Sequence, residues 1–183
     1  MGKNWVVTQM LKNYIKSFQD FPIKGIDFKD VASLCANAEG FAMANDILHN
    51  KLMEYMPCDK VIGIDARGFP FASVLSYKEQ LPLVLARKQG KLPGNTHTEE
   101  FALEYGTASL EIQDGVIEPN DRVIIVDDLM ATGGTVGAAI NLVEQHAKAK
   151  VVAVACLIDL VPLQGSKTVT NKGIPFVSAV EYT

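Results

Sequence analysis

Two adjacent acids, Asp127 and Asp128, lie between a run of branched apolar residues and a turn of small residues, in the stretch VIIVDDLMATGGT. Gly133 and Gly134 permit a tight turn, and a helix that starts there offers backbone N–H groups without partners. Such a helix terminus attracts a phosphate dianion. Ionised carboxylates only accept hydrogen bonds, so the two acids can receive them from neutral hydroxyls beside the phosphate. The pattern therefore indicates a site for a sugar phosphate with vicinal hydroxyls.

Other nucleotide-binding signatures do not fit this stretch. A buried strand that ends in aspartate also occurs as the metal-binding strand of nucleotide hydrolases, but the sequence has no GxxxxGK[ST] phosphate loop. The segment GGTVG differs from the GxGxxG dinucleotide fingerprint. The three cysteines, which are far apart and form no CxxC pair, indicate a reducing compartment: Cys35, Cys58 and Cys156.

The elements that must position the acids follow from four short apolar runs. These runs, which do not alternate with polar residues, are KVIGIDARGF, LPLVLAR, RVIIVDD and KVVAVACLID. They predict strands that are covered on both faces, and a helical stretch from Thr135 to Ala147 separates the last two. This β-α-β order predicts an α/β fold with a parallel sheet, in which ligands bind beyond the carboxyl ends of the strands.

Three further segments can be assigned from spacing. Apolar residues from Val6 to Phe18 recur at helical intervals up to the stop DFPIKG, and a second helix is predicted from about Phe41 to Met56. The excursion KQGKLPGNTHTEEFALEYGTASLEIQDGV predicts a hairpin, and its length is typical of a loop that covers a ligand or contacts a partner. Glu99 and Glu100, within it, fit ordinary solvated surface charge.

The composition predicts one soluble domain. The 183 residues are 48% hydrophobic, with 17 basic against 21 acidic residues and a net charge of -4. No basic block is present, so we expect no nucleic-acid partner, although Arg87, Lys88 and Lys91 could hold a small anion. No apolar run approaches the length of a membrane span and the N-terminus does not resemble a signal peptide, so we expect a cytoplasmic protein without membrane contact.

The stretch VIIVDDLMATGGT resembles the phosphoribosyl-pyrophosphate (PRPP) binding motif of the type I phosphoribosyltransferases. The segments FPIKGIDFKD, GIDARGF, RKQGKLPG and LEYGTASLEIQ follow the order and the approximate spacing seen in the adenine phosphoribosyltransferases, from about Phe21 to Tyr182. The resemblance implies a single domain over residues 1–183 with a central, mainly parallel sheet flanked by helices. It also implies a small hood from about residues 1–35 and the C-terminal segment, and a flexible catalytic loop at about residues 88–115.

The resemblance further implies an activity. The family transfers the 5-phosphoribosyl group of PRPP to adenine, which gives AMP and pyrophosphate in purine salvage. It uses Mg²⁺, which we expect to be bound mainly through PRPP and pyrophosphate rather than in a dedicated protein metal site. It also implies a homodimer. Two alternatives stay open: a related enzyme for hypoxanthine, guanine, xanthine or orotate, and a non-catalytic PRPP-sensing regulator, which would be expected to carry a DNA-binding extension or a basic face.

Roles for individual residues come from the same resemblance. The catalytic positions are Arg67, Glu104 and Tyr105, and Glu104 is the candidate for placing the proton of the base. Asp127 and Asp128 hold the ribose hydroxyls. The other residues implied in PRPP or AMP binding are Ala131, Thr132, Gly133, Gly134 and Thr135 around the 5-phosphate, and Arg67, Arg87, Lys88 and Lys91 at the pyrophosphate.

The residues implied in adenine binding are Asp27, Phe28, Lys29 and Leu129. Three positions depart from the family pattern: Lys24 replaces a usual proline, Lys29 a usual arginine, and Asp27 an apolar residue. Lysine keeps the positive charge of arginine but loses its planar, bidentate geometry. The departures therefore predict a base pocket whose shape and charge differ from the usual pattern. Asp159, at the end of the fourth predicted strand, either orients groups around the site or caps the strand.

Overall fold

The computed structural model describes residues 8–102 and 106–183. The chain forms two compact units, which divide between Ile47 and Leu48. No helix in the described ranges is both long enough and apolar enough to cross a membrane.

The first unit contains a small antiparallel hairpin. Residues 8–12 are helical. Strands β1 (Lys16–Gln19) and β2 (Asp27–Asp30) then pair, and helices α1 (Val31–Cys35) and α2 (Ala38–Leu52) follow. The prediction of a helix up to Phe18 is therefore wrong, because residues 16–19 exchange hydrogen bonds with β2 instead of continuing the helix. Apolar spacing alone could not reveal this, since the competing partner lies about ten residues further along the chain.

The second unit is built on a seven-stranded sheet in the order β5-β6-β4-β3-β7-β8-β9. Five of its strands are parallel to one another: β3 (Lys60–Ile64), β4 (Leu83–Lys88), β7 (Arg122–Met130), β8 (Lys150–Leu160) and β9 (Phe176–Tyr182). The predicted hairpin consists of β5 (Thr96–Ala102) and β6 (Thr107–Gln113), and it joins the sheet antiparallel to β4. The prediction of a central, mainly parallel sheet is confirmed, and β9 is an additional strand.

Helices cover the sheet between its strands. Helix α3 (Phe69–Glu79) follows β3, α4 (Gly134–Asn141) continues as a π-helical turn to His146, and the short α5 (Lys167–Thr170) precedes β9. The predicted helices at about 41–56 and 135–147 are confirmed within a few residues. The sequence analysis did not predict α3, which buries three apolar side chains on one face, those of Phe71, Ala72 and Leu75.

The apolar runs lie where both faces of the sheet are covered. All residues from Val123 to Asp128 in β7 and from Val151 to Asp159 in β8 are buried. Each fully buried Val, Leu or Ile side chain contributes about 1.5–3 kcal/mol to the stability of the folded state. Because both faces of these strands are covered, their sequences do not alternate between apolar and polar residues. The carboxyl ends of the parallel strands β3, β7 and β8 lie side by side, and Arg67, the acid pair and Asp159 are all found at this end of the sheet.

Candidate active site

The acid pair lies within β7 rather than beyond it, because the strand continues to Met130. Successive side chains of a strand point to opposite faces. Asp127 accordingly faces the small-residue turn that follows the strand, whereas Asp128 faces Arg67, with Nε 2.7 Å from Oδ2. The backbone N–H of Asp128 donates to Oδ1 of Asp127 over 2.8 Å. The two carboxyl groups therefore lie on opposite faces of the sheet, near the carboxyl end of β7.

Both carboxyl groups are almost completely buried, with exposures of 7% for Asp127 and 4% for Asp128. Burial raises the pKa of Asp127 well above its ordinary value, and the charge of Asp128 raises it further. Burial also raises the pKa of Asp128, although the Arg67 guanidinium opposes this shift. Within the described ranges, no donor has hydrogen-bond geometry to Oδ2 of Asp128, the atom in ion-pair contact with Arg67. Hydroxyl donors from a ligand would stabilise the ionised pair.

A pocket of about 70 Å³ lies at the turn after β7. It is lined by Asp127, Leu129, Met130, Ala131, Thr132, Gly133, Gly134, Thr135 and Val136. Gly133 has a φ of 85°, in the left-handed region that favours glycine, and α4 begins directly after it. Among the described residues no side chain caps this helix start, so its first N–H groups are available to an anion. The structure thus brings the five predicted phosphate residues together with Asp127 and Leu129.

The connection between β8 and β9 packs directly against this turn. A Cβ atom on Gly133 would lie 2.6 Å from both the carbonyl oxygen of Gly165 and Oγ1 of Thr168. A Cβ atom on Gly165 would overlap the carbonyl of Ala131 and lie 2.7 Å from the nitrogen of Gly133. The sequence analysis did not identify Gly165, and its only signal was a glycine in the segment LQGSK. The turn is therefore packed against a segment that lies more than 30 positions further along the chain.

Arg67 lies in the turn between β3 and α3, with 52% of its side chain exposed. The next residue, Gly68, lies so close to β7 that a Cβ atom would be 2.8 Å from the carbonyl oxygens of Ile64 and Val126. Only glycine permits this approach, which keeps the Arg67 turn beside the acid pair. The peptide bond between Asp65 and Ala66 in this turn is cis.

The other predicted cations lie at the end of β4 and in the turn after it. Nε of Arg87 is 3.1 Å from Oδ2 of Asp65, and its Nη1 donates to the carbonyl of Lys91 over 3.4 Å. Arg87 therefore links the turn that carries Arg67 to the turn that carries Lys91. Lys88 and Lys91 are exposed. The side chain of Arg87 is thus partly engaged in holding the two turns together.

Three of the predicted adenine residues lie on β2 in the first unit. Nζ of Lys29 is 2.7 Å from Oδ2 of Asp27 and donates to Oγ of Ser17 over 2.9 Å. Two of the departures from the family pattern therefore neutralise each other as an ion pair. The ring of Phe28 packs edge-on against Phe21, with 5.1 Å between ring centroids.

Comparison with known proteins connects these features to one family. The model of the phosphoribosyl transferase domain matches residues 27–177. An adenine phosphoribosyltransferase from Marinomonas sp. (strain MWYL1) is 42% identical over 174 residues, which cover 94% of this chain and 94% of the relative. The chain belongs to the adenine phosphoribosyltransferase family.

Solved structures of this family share the fold. The adenine phosphoribosyltransferase from Rhodothermus marinus is 38% identical, with a TM-score of 0.89 over 97% of this chain and 99% of that chain. The enzyme from Saccharomyces cerevisiae, solved with an imino-altritol bisphosphate and adenine, is 30% identical with a TM-score of 0.88, over 96% of this chain and 99% of that chain. The predicted type I phosphoribosyltransferase fold and the predicted enzyme class, a pentosyltransferase, are confirmed.

Three remaining residues of the predicted adenine phosphoribosyltransferase site have different outcomes. Glu104 and Tyr105 lie outside the described residues, so their roles stay predictions. Asp159 is 5% exposed, and in the described parts of the enzyme no donor has hydrogen-bond geometry to its Oδ1. Burial raises the pKa of Asp159, and the charge of Glu181 on the neighbouring strand raises it further. No group of three or more His, Cys, Asp and Glu residues within 8–102 and 106–183 could hold a metal ion.

Glu99 of the enzyme is not ordinary surface charge, which corrects the interpretation from the sequence. Asn141 donates from Nδ2 to its Oε1 over 2.8 Å, and Nε2 of His146 is 3.1 Å from its Oε2. These contacts connect β5 of the hairpin to α4 and the turn after it. Hydrogen bonding from Asn141 lowers the pKa of Glu99, and His146 lowers it further. Glu100 is exposed, as predicted.

We expect Glu99→Gln to lower the melting temperature of the enzyme near neutral pH. The lowered pKa of Glu99 means that its ionised form stabilises the folded state above its ordinary pKa, and that this contribution is lost as pH falls through the lowered value. The difference from wild type should therefore shrink on acidification to below about pH 4. Thermal unfolding across this pH range measures it. Glu100→Gln is the control, and an equal loss in both variants would contradict the assignment.

Proposed function

We propose that the enzyme transfers the 5-phosphoribosyl group of PRPP to adenine and releases AMP and pyrophosphate, as a step of purine salvage. The observation that supports this most is a pocket lined both by a buried acid, Asp127, and by the glycine turn of residues 131–135 at a helix start. One end of this pocket suits a phosphate dianion and the other suits sugar hydroxyls. A ribose 5-phosphate carries both groups.

The acid pair has two consecutive tasks in this proposal. Ribose hydroxyls donate to Asp127 and Asp128, and these hydrogen bonds favour the ionised carboxylates over the protonated forms that burial favours. The bond from the anomeric carbon to pyrophosphate then breaks, and the electron pair leaves with pyrophosphate. Positive charge develops on the ribose, where two ionised carboxylates in a site of low dielectric stabilise it.

The leaving group needs positive charge on the other side of the ribose. Arg67, Arg87, Lys88 and Lys91 serve the pyrophosphate in this proposal. Arg67 presents its half-exposed guanidinium beside Asp128, and the Arg87 contacts to Asp65 and Lys91 couple the two turns that carry the cations. Arginine suits phosphate oxygens through its planar set of donors. Adenine bonds to the anomeric carbon through a ring nitrogen and loses a proton from another ring nitrogen.

Magnesium accompanies the pyrophosphate in this proposal. The buried carboxylates of Asp127 and Asp128 would stabilise a hydrated Mg²⁺ that takes its ligands mainly from the substrate, since Oδ2 of Asp128 is already in ion-pair contact with Arg67. When bound, the ion neutralises charge on the departing pyrophosphate. The two acids hold the ribose hydroxyls in this proposal.

Glu104 assists proton placement on adenine in this proposal, with Tyr105 beside it. We expect Glu104→Ala to reduce turnover by roughly 100-fold or more, the size expected for a positioned acid or base, while the affinity for PRPP changes little. Steady-state kinetics and isothermal titration with PRPP separate the two effects. Glu100→Ala, which removes an exposed acid of β5, is the control. Equal turnover of the Glu104 variant and wild type would remove Glu104 from the mechanism.

The base is tested by incubating the protein with PRPP, Mg²⁺ and one base at a time. Adenine, for which the resemblance implies contacts from Asp27, Phe28, Lys29 and Leu129, should give AMP as the dominant product. A preference for hypoxanthine, guanine, xanthine or orotate would overturn the assignment of the base but leave the PRPP site intact. Product from none of the bases would favour a non-catalytic PRPP-sensing regulator. The Asp27–Lys29 ion pair makes this comparison informative, because it gives β2 a charge pattern different from that of the family.

We also propose a cytoplasmic homodimer. Two side chains in the second unit, Tyr77 at 86% and Leu85 at 40% exposure, supply apolar surface for a partner subunit. Cys58 and Cys156 form no disulfide within the described parts of the chain, which fits a reducing compartment. Sedimentation at working concentration tests the assembly, and a fully active monomer would contradict it.

A further inference from the structure

Glu111 is a buried carboxylate outside the residues assigned to the site. It lies in β6 opposite Arg87 of β4, and it is 4% exposed. Acidic side chains are rarely buried to this extent unless they are paired or hydrogen-bonded. The hydrogen-bond donors to Glu111 therefore indicate its structural role.

The carboxylate of Glu111 gathers three consecutive backbone N–H groups. Those of Gly90, Lys91 and Leu92 donate to Oε1 over 2.9, 3.2 and 3.3 Å. The hydroxyl of Thr96 donates to Oε2 over 3.3 Å. Three successive N–H groups can converge on one oxygen only if the chain curves around it, and Gly90 provides that curve with a φ of 78°. This carboxylate therefore supports the turn after β4, in addition to the backbone bond from the N–H of Lys91 to the carbonyl of Lys88.

The same turn carries one of the cations assigned to pyrophosphate. Lys91 donates its own N–H to Glu111 and accepts from Nη1 of Arg87 through its carbonyl. Arg87 in turn contacts Asp65 in the turn that carries Arg67. A continuous set of contacts thus extends from Glu111 through Lys91 and Arg87 to the Arg67 turn. If Glu111 loses its carboxylate, the N–H groups of Gly90 and Leu92 lose this acceptor, and the N–H of Lys91 keeps only its bond to the carbonyl of Lys88.

We propose that Glu111 is a positioning residue for the transfer reaction, which fixes the turn of residues 88–92 so that Lys91 and Arg87 meet the pyrophosphate end of PRPP. This inference rests on the proposed function, because it takes the role of the two cations from it. Glu111 acts through the backbone and does not contact the substrate. Its loss should therefore affect the binding of PRPP and pyrophosphate, but not that of adenine.

The test compares Glu111→Gln and Glu111→Ala with wild type. Gln keeps an oxygen acceptor and the side-chain size but loses the charge, whereas Ala removes the acceptor. We expect the KM for PRPP and the inhibition constant of pyrophosphate to rise roughly tenfold in Glu111→Ala, the size expected for loss of a hydrogen bond to a charged group. The rise should be smaller in Glu111→Gln, and the KM for adenine should stay within about twofold in both variants. Thr96→Val, which removes only the contact to Oε2, is the matched control and should resemble wild type.

Limited digestion with trypsin gives a readout that does not depend on activity. Cleavage after Lys88 and Lys91 should be faster in both Glu111 variants than in wild type and Thr96→Val, because the turn opens when its acceptor is weakened. If Glu111→Ala does not fold, Glu111→Gln carries both measurements. Unchanged digestion, or equal changes in the KM values of PRPP and adenine, would overturn the positioning role. A wild-type protein that forms no AMP would instead reject the proposed function, while the digestion would still report on Glu111.

Discussion

Asp127→Asn should remove most of the activity with PRPP and, at neutral pH, raise the stability of the protein. The asparagine side chain keeps an oxygen that can accept the N–H of Asp128, as Oδ1 of Asp127 does over 2.8 Å. It removes the negative charge that accepts ribose hydroxyls and stabilises the developing ribosyl cation. A hydrogen bond to a charged group contributes about 1.5–3 kcal/mol, so kcat/KM for PRPP should fall roughly 10- to 150-fold.

The expected gain in stability arises because Asp127→Asn removes a buried charge. Burial raises the pKa of Asp127 well above its ordinary value, and the charge of Asp128 raises it further. A carboxyl with a raised pKa stabilises the folded state below its ordinary pKa, and this contribution is lost as pH rises through the raised value. The wild-type protein should therefore lose stability towards neutral pH through this group, whereas the asparagine variant should not. Chemical unfolding at several pH values measures the difference, which should vanish below about pH 4.

Glu118→Gln is the matched control for this experiment, since it removes the same formal charge from an exposed side chain. It should change neither the activity nor the pH dependence of stability appreciably. A variant at Asp127 with wild-type kcat/KM would show that this acid does not hold the ribose. A variant that is less stable than wild type at neutral pH would show that the buried charge is compensated in the folded enzyme.

Gly165→Ala should displace the phosphate-binding turn of residues 131–135. The added Cβ would overlap the carbonyl of Ala131 and approach the nitrogen of Gly133 to 2.7 Å, and both contacts are to backbone that cannot rotate away. Forcing an extra carbon into a packed site costs about 1–3 kcal/mol. A displacement of the turn by about 1 Å can lower the rate 100-fold. We therefore expect a lower melting temperature and a higher KM for PRPP, with little change in the KM for adenine.

Lys167→Ala tests whether any change in this connection has the same effect. Lys167 is exposed in α5, and its Nζ contacts only Gln164 among the partners that the described structure gives it. Steady-state kinetics with PRPP and thermal unfolding should resemble wild type in this variant. If Gly165→Ala leaves the KM for PRPP unchanged, the turn does not depend on the support of this segment.

The outcome at the first hairpin shows where the sequence was insufficient. The residues up to Phe18 have the spacing of a helix, yet Lys16–Gln19 forms a strand because it pairs with Asp27–Asp30. The ion pair between Asp27 and Lys29 follows from the same strand, since residues two apart share a face. Because β2 was not predicted from the sequence, neither the strand at Lys16–Gln19 nor the ion pair between Asp27 and Lys29 was predicted.

The sequence by itself determined the parallel sheet and the centre of the site. Continuous apolar runs such as that of β7 predict strands covered on both faces, and the acid pair followed by Gly133 and Gly134 predicts a ribose-phosphate site. These signals are local, because the residues involved are neighbours along the chain. Their chemistry is therefore fixed by their spacing before any folding is considered.

The tertiary structure decided what holds this centre in shape. The ion pair of Arg67 with Asp128, the turn held by Glu111 and the support of the phosphate turn by Gly165 each join residues about 20 to 60 positions apart. A glutamate or a glycine has the same local pattern whether it is exposed or meets a distant backbone, so the sequence could not distinguish these cases. Burial decides between them, because close packing and low dielectric arise only after distant segments have come together.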